Sequence, residues 1–453
     1  MIKIAQFGEG NFLRAFADYY FDVLNEEGGN YSVSIIRPCD QGSLDKFVKQ
    51  KNSYHVVLRG MEQGKPIERI RKISVVKEAF SYFDKADYER LATDSELKLI
   101  ISNTTEAGIY FSDKDDMNHL HNSSYPAKLT AFLYSRFLSG LGGVYILPVE
   151  LIDNNADRLK ECVNEYIRLW QLPEAFLNWN QKENFYCNTL VDRIVSGYPK
   201  KEEERFAKLL NERDELLTVG EPFGLWVIEN KGNISKFIRE GKHGTEVILA
   251  DTIEFYKKRK VRVLNGSHTN MVFISLWTGA KTVFDVMNSR KLRAFVKETL
   301  QQEIIPFVSN DSEQTKSFAK EVLERFENPY INHQLISISL NSISKWKARV
   351  LPSFIDYYEK FGKIPPNLTL GLSYFIHTYR SLYKKGDAYY FHVESETYEL
   401  KDDKNYLDFF LEGGTVTRFL SDKIWGVDLN GFSGLTEAIK ENLSLFQRDI
   451  KPL

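Results

Sequence analysis

The sequence predicts an α/β, Rossmann-like N-terminal domain over residues 1–250, followed by a mainly α-helical domain over 251–453. Three observations carry that expectation. A short apolar run at the N-terminus leads straight into a glycine turn and a helical repeat. Strand-like runs then alternate with segments long enough for helices, and beyond about residue 245 the strand-like runs become scarce.

Ile2–Phe7 carries two isoleucines and ends at Gly8 and Gly10, which reads as a buried strand entering a turn. From Phe12 the apolar residues Phe12, Phe16, Tyr19, Tyr20, Val23 and Leu24 recur at helical spacing, until Glu26, Glu27, Gly28 and Gly29 end the run. Residues 33–36, 97–102 and 144–147 read as further strands with helix-length segments between them, which implies a mostly parallel sheet covered on both faces. In the C-terminal part, 291–303 and 316–326 have helical periodicity, and the alternation over 389–400 predicts a small hairpin.

With 60 Lys plus Arg against 62 Asp plus Glu, the 453-residue chain has no cation excess to release counterions from a nucleic acid backbone, so no nucleic acid partner is expected. Its cysteines, Cys39, Cys162 and Cys187, are widely separated and form no CxxC pair. A disulfide framework and a cysteine-rich zinc site are therefore excluded, and reduced thiols in a cytoplasmic protein are expected. No run reaches the 18 or so apolar residues of a membrane span, and the start MIKIAQFGEG lacks a basic region followed by a long apolar run, so no membrane partner or targeting segment is expected.

Gly8, Gly10 and the helix after them offer a tight turn, close backbone approach and a positive helix end, the features a dinucleotide pyrophosphate needs. Leu13 stands where the third glycine of that fingerprint usually falls, and a bare GxG turn also serves purely structural ends. The turn residues Phe7, Gly8, Gly10, Asn11 and Phe12 are the expected cofactor contacts. After the second strand, Asp40 would accept ribose hydroxyls and Arg37 would meet a ribose phosphate, so the residues leave NAD and NADP open, with NAD preferred. Asn103, Thr104 and Thr105 follow the strand at 97–102, where ligands bind in open α/β sheets, and are expected beside the nicotinamide.

Residues 260–268 read KVRVLNGSH. The alternation over 260–264 predicts an extended segment, whereas Asn265 and His268 are three apart at the start of an apolar helical run and share a face. A partly desolvated Lys260 is suited to general acid/base work, the Asn265 amide to a developing alkoxide, and His268 to orienting a hydroxyl. The plainer alternative is a solvated lysine, a helix-capping asparagine and a core histidine.

The wider sequence resembles a known family. The order Lys260, Asn265, His268 behind a GxGxF turn with a following Arg14 is similar to the polyol-specific long-chain dehydrogenases, which include mannitol dehydrogenase and the hexuronate reductases. The resembling blocks are QFGEGNFLRAF from Gln6, SNTTEAGI from Ser102, YPAKLTAFLYSRF from Tyr125, LPVELIDNNA from Leu147, CNTLVDRIVSGYP from Cys187, EPFGLWVIE from Glu221 and KVRVLNGSHT from Lys260.

This resemblance implies a metal-independent, NAD-linked dehydrogenase with its catalytic residues at the interdomain cleft. In it Lys260 is the acid/base, Asn155 and Asn265 hold the reacting oxygen, and His268 positions the substrate. Relatives usually carry Asn-Gly where this chain has Asn155 and Ala156. Asp192 matches a substrate-contacting aspartate, with a structural pairing to Arg193 as the alternative. For a hexuronate carboxylate the segment NSISKWKARVLP from Asn341 offers Lys345, Lys347 and Arg349; Lys345 and Arg349 share a helix face. A sibling enzyme acting on a different uronate or on a sugar phosphate would keep the same trio, and a non-catalytic nucleotide sensor would need only the glycine turn.

Overall fold

In this computed structural model the described residues are 1–38, 44–105, 107–309, 312–446 and 448. The chain divides into two units, Met1–Gly60 with Ile67–Ile253, and Met61–Pro66 with Glu254–Leu453.

In the first unit Ile2–Phe7 becomes a central strand because Ile4, Ala5, Gln6 and Phe7 are all fully buried, so both of its faces need cover. The sheet has six strands in the order Val76–Ser81, Tyr31–Arg37, Ile2–Phe7, Leu97–Ser102, Tyr145–Pro148 and Phe185–Tyr186, with every neighbouring pair parallel. Strand order runs outward from Ile2–Phe7 on one side and from Leu97–Ser102 on the other. The crevice between those two strands is thus the topological switch point, the usual ligand position of such sheets.

The expected helix from Phe12 is two helices, Asn11–Ala15 and Ala17–Glu26, broken at Phe16, whose φ of -122° and ψ of -79° are not helical. Phe16, Tyr20 and Phe21 pack on Trp226, with ring centroids 5.4 to 6.3 Å apart, and this fixes the helix against the body of the unit.

Residues 37–96 depart further from expectation. Instead of one crossover helix the described residues among them form the short helix Asp45–Lys49, the adjacent strands Tyr54–Glu62 and Lys65–Ile73, then the edge strand Val76–Ser81, and the helix Lys85–Ala92. Lys65–Ile73 is mostly exposed and rich in charge, so no apolar period betrays it. Two further four-stranded sheets complete the unit.

The second unit is mainly helical, with one three-stranded sheet, Tyr383–Lys385, Ala388–Val393 and Glu396–Leu400, that contains the expected hairpin. Its departure from the sequence reading is at Lys260–Gly266. That segment is not extended: it continues the helix Glu254–Arg259 into Ser267–Trp277 as a wider π-type turn. An alternation over five residues is too short to separate a strand from a half-buried helix. Here Val263 and Leu264 face the interior together, while Arg262 pairs with Asp356 and donates to the Phe307 carbonyl. No helix among the described residues is long and apolar enough to cross a membrane.

Candidate functional site

The polar groups of interest form two constellations, one in each unit. In the first, Gly8 follows the central strand with φ +127°, a conformation side chains rarely adopt, and a Cβ there would lie 3.0 Å from the Asn103 carbonyl oxygen. The Gly8 N–H donates to the Ile36 carbonyl (3.0 Å) and the Asn103 N–H to the Phe7 carbonyl (3.2 Å), so the ends of three strands are stitched together at the switch point. Gly10 is exposed, and a Cβ added to it would meet nothing within 4 Å. The turn therefore has open space where a pyrophosphate would approach.

Asn11 is anchored from behind. Its Oδ1 accepts from Arg14 (2.7 Å) and from the Thr218 hydroxyl (3.0 Å), which fixes the amide orientation. Phe12 is half-buried and stacks on Phe16 at 4.9 Å. Phe7 can reach a cofactor only through its main chain. Its ring is fully buried among Tyr88, Tyr125 and Phe132, so only its backbone reaches the turn.

Arg37 ends the second strand and its carbonyl accepts from the Tyr82 N–H (3.0 Å). Near it, a cavity of about 380 Å³ is lined by Tyr82, Phe83, Tyr88, Leu120 and His121, and sequence reasoning had no pattern by which to find it. Asp40 lies outside the described residues.

Glu150 follows the strand Tyr145–Pro148 and is only 2% exposed. Its carboxylate accepts from the Ser102 hydroxyl (3.0 Å), the Thr104 N–H (2.9 Å) and the Thr104 hydroxyl (3.0 Å). Burial raises its pKa and these donors oppose the rise. The residue stands within LPVELIDNNA but was not singled out, because a lone acid after a strand carries no motif.

Asn155 differs from expectation. It is 1% exposed; its Nδ2 lies 2.9 to 3.3 Å from the Pro148, Glu150 and Thr189 carbonyls and the Thr189 hydroxyl, and its Oδ1 accepts from the Ala156 and Thr189 N–H groups. An amide has two donor hydrogens and two acceptor lone pairs, so Asn155 is fully used by the protein and has nothing left for a substrate oxygen. Asp192 is buried at the end of the strand Thr189–Asp192, beside Arg193, whose guanidinium donates to the Ala15, Pro222, Phe223 and Gly244 carbonyls.

The second constellation lies around the π-type turn. In a regular α-helix, residues five apart point about 140° away from each other. A turn with more residues per revolution narrows that angle, drawing Lys260 and Asn265 toward one face, and such turns recur at functional sites. Gly266 lets another helix approach: a Cβ there would fall 2.8 Å from the Arg349 carbonyl oxygen, so the helix Ser342–Arg349 packs backbone to backbone on the turn. That contact brings Lys345 and Arg349 to the same neighbourhood as Asn265.

His268 stacks on Phe326 (4.2 Å between centroids) and stands edge-on to His333 (5.3 Å, 84°). Asn265 Oδ1 is buried without a hydrogen-bond partner. Lys345 is half-buried and donates to the Ile338 carbonyl (2.9 Å), while half-buried Arg349 makes no ion pair among the described residues, nor does Lys345. Burial lowers the pKa of Lys345, with Arg349 adding to the effect and the Asp402 carboxylate opposing it, and burial alone lowers that of Arg349. His333 is pushed down by burial and then by Lys345. No motif marks His333, a histidine in an irregular segment.

Comparison with known proteins agrees along the whole chain. Residues 2–238 match the mannitol dehydrogenase Rossmann domain and residues 252–446 the mannitol dehydrogenase C-terminal domain. Altronate oxidoreductase of Yersinia pestis is 39% identical over 461 residues, covering 97% of this chain and 93% of the relative. The altronate oxidoreductase of Bacillus subtilis strain 168 is 37% identical over 453 residues, 96% of this chain and 91% of the relative. Among solved structures, a substrate-free D-sorbitol dehydrogenase aligns with a TM-score of 0.84 at 17% identity, over 99% of this chain and 94% of that one. Pseudomonas fluorescens mannitol 2-dehydrogenase, solved as a ternary complex with NAD and D-mannitol, aligns at 0.69 and 18% identity, over 99% and 92%. At those identities the structures speak for the fold.

Proposed function

The chain belongs to the mannitol dehydrogenase family, as an oxidoreductase acting on CH–OH groups, and from that premise we propose that it catalyses the reversible, NAD-linked reduction of D-tagaturonate to D-altronate, a cytoplasmic step of hexuronate catabolism. The observation that carries the substrate class is the pair Lys345 and Arg349: two half-buried cations one helical turn apart, with no carboxylate of the described residues paired to either. Desolvating a charge without a partner is costly, and a substrate carboxylate relieves the cost. The curated altronate oxidoreductases, whose named substrate carries a carboxylate, support the same reading.

NAD(H), when bound, supplies or accepts the hydride. Gly8, Gly10 and Asn11 would hold its pyrophosphate in the open turn, Arg37 and, by resemblance alone, Asp40 would meet the adenosine ribose, and the cavity that includes Tyr82, Phe83 and Tyr88 would take the adenine ring. Asn103, Thr104 and Thr105, at the switch point of the sheet, would lie beside the nicotinamide.

In the reductive direction Lys260 gives its ammonium proton to the ketone oxygen as negative charge develops there, and in the oxidative direction the neutral amine takes the hydroxyl proton. Asn265 donates its amide N–H to the same oxygen, and its orphaned Oδ1 accepts from a neighbouring substrate hydroxyl. His268, held flat against Phe326, presents its ring edge to the sugar chain. Asp192 contributes to substrate binding by resemblance alone, and Asn155 has no role at the reacting oxygen because its amide is saturated.

The test follows NADH oxidation with tagaturonate, fructuronate, a ketose phosphate and fructose. The reading expects the highest kcat/KM with tagaturonate; a higher value with the ketose phosphate or with fructose overturns it, and a higher value with fructuronate moves the enzyme to the sibling uronate.

A further inference from the structure

Glu150 is a buried carboxylate whose charge the fold leaves without a cation. It is 2% exposed, and among the described residues no lysine, arginine or histidine pairs with it. What holds it is three neutral donors, the Ser102 hydroxyl and the N–H and hydroxyl of Thr104, shared between both carboxylate oxygens. Burial raises its pKa, and donors aimed at both oxygens are the arrangement that opposes that rise and favours the ionised form. Burying an unpaired charge is expensive, and apolar or amide side chains would tie these loops together at lower cost.

The position explains why a charge is kept. Ser102 closes the strand Leu97–Ser102 and Thr104 stands two residues beyond it, on the far side of Asn103, whose carbonyl approaches Gly8 across the switch point. The Val149 N–H donates to the Ser102 carbonyl (2.8 Å), so strand end, loop and carboxylate form one rigid piece. The nicotinamide ring is a cation when oxidised and neutral when reduced. A fixed negative charge in a low-dielectric wall therefore distinguishes the two forms, whereas a hydrogen-bonding residue without charge would not.

We propose that Glu150 is a positioning residue that holds the 103–105 loop through Thr104 and, by its charge, biases the nicotinamide site toward the oxidised cofactor. This rests on the cofactor reading given above. In effect the buried charge lowers the affinity gap between NAD+ and NADH, so that the reverse, altronate-oxidising direction remains accessible.

The experiment measures dissociation constants of NAD+ and NADH by quenching of tryptophan fluorescence in the wild type, Glu150→Gln and Glu150→Asp. Glu150→Gln is expected to weaken NAD+ about tenfold more than NADH, equivalent to about 1.4 kcal/mol. Glu150→Asp keeps the charge and should hold the NAD+ to NADH affinity ratio within about twofold of the wild type, even where both affinities fall. Equal losses for the two cofactors in Glu150→Gln, or no loss in either, overturn the proposal. If Glu150→Gln does not fold, a shifted ratio in Glu150→Asp overturns it and a preserved ratio beside lowered affinities supports it. A wild type that binds neither cofactor defeats the cofactor reading itself.

Discussion

Asn155 and Asn265 stand in corresponding roles by resemblance, yet the protein treats them in opposite ways. The first unit surrounds Asn155 with backbone partners until both ends of its amide are saturated. The second unit leaves Asn265 Oδ1 buried and unmet, and sets near it two half-buried cations that form no ion pair among the described residues, Asp402 acting on Lys345 only from a distance. The contrast extends to whole constellations: around the glycine turn Asn11, Thr104 and Glu150 are tied to one another or to strand ends, whereas the π-type turn keeps polar capacity in reserve. A scaffold for a constant ligand is best finished in advance; a site for a reacting oxygen and a carboxylate is best left incomplete until they arrive.

The largest expected effect sharpens the catalytic half of that contrast. Lys260→Ala should lower turnover by about a hundred- to ten-thousandfold, while leaving the NADH dissociation constant within about twofold, since the lysine acts on the substrate oxygen. Retention of more than about a tenth of the wild-type rate would remove it from the chemistry.

Next come the two asparagines. Asn265→Ala should cut kcat by about a hundredfold with the unfolding midpoint unchanged or raised, because no protein partner of its Oδ1 is lost. Asn155→Ala should instead destabilise the protein by about 1–3 kcal/mol, because buried groups lose their partners. Thermal unfolding and steady-state rates measured on both variants decide it, and a fall in midpoint for Asn265→Ala as large as that for Asn155→Ala would break the comparison.

A smaller effect tests the packing at the turn. In a helix Gly→Ala ordinarily stabilises by up to about 1 kcal/mol, but at Gly266 the added Cβ meets the Arg349 backbone at 2.8 Å. Overpacking of this kind costs about 1–3 kcal/mol, so the steric term wins and Gly266→Ala should lower the unfolding midpoint. An increase would mean that the helix Ser342–Arg349 does not rest on the turn.

The smallest effects concern pH, and the two units should respond with opposite signs. In the first, burial raises the Asp18 carboxyl from 3.8 to about 7 against donors from Tyr54 and Gln6. A raised acid contributes stability that is complete below about pH 3.8 and is lost as pH rises through about 7. In the second, burial followed by Arg380 lowers His377 from 6.5 to about 4, so its contribution is present above about pH 6.5 and is lost as pH falls through about 4. Asp18→Asn should therefore raise the midpoint more at pH about 8 than at pH about 5, and His377→Gln more at pH about 4.5 than at pH about 7.5. Parallel pH responses in the two variants would contradict both assignments.

Much of the architecture was legible because it is written in period and punctuation: the strand Ile2–Phe7 before its glycines, the strand Leu97–Ser102 and the hairpin near residue 393 all declare themselves by apolar patterning. Lys65–Ile73 and the π-type turn were not legible, the one because charge masks an exposed strand, the other because five alternating residues suit two structures. At the candidate site, residue types singled out Lys260, Asn265, Lys345 and Arg349, whereas the saturation of Asn155 and the burial of Glu150 emerge only when distant segments meet.

The central claim is that the half-buried cations of the second unit, which form no ion pair among the described residues, await a substrate carboxylate, and the most direct measurement is KM for tagaturonate and for uncharged fructose in the wild type, Lys345→Met and Arg349→Met. Loss of a charge-assisted hydrogen bond of about 1.5–3 kcal/mol should raise KM for tagaturonate about ten- to a hundredfold in at least one variant, with fructose changed less than about twofold. Equal losses for both substrates would reduce the cations to supports of the fold, and no loss for either would place the carboxylate elsewhere.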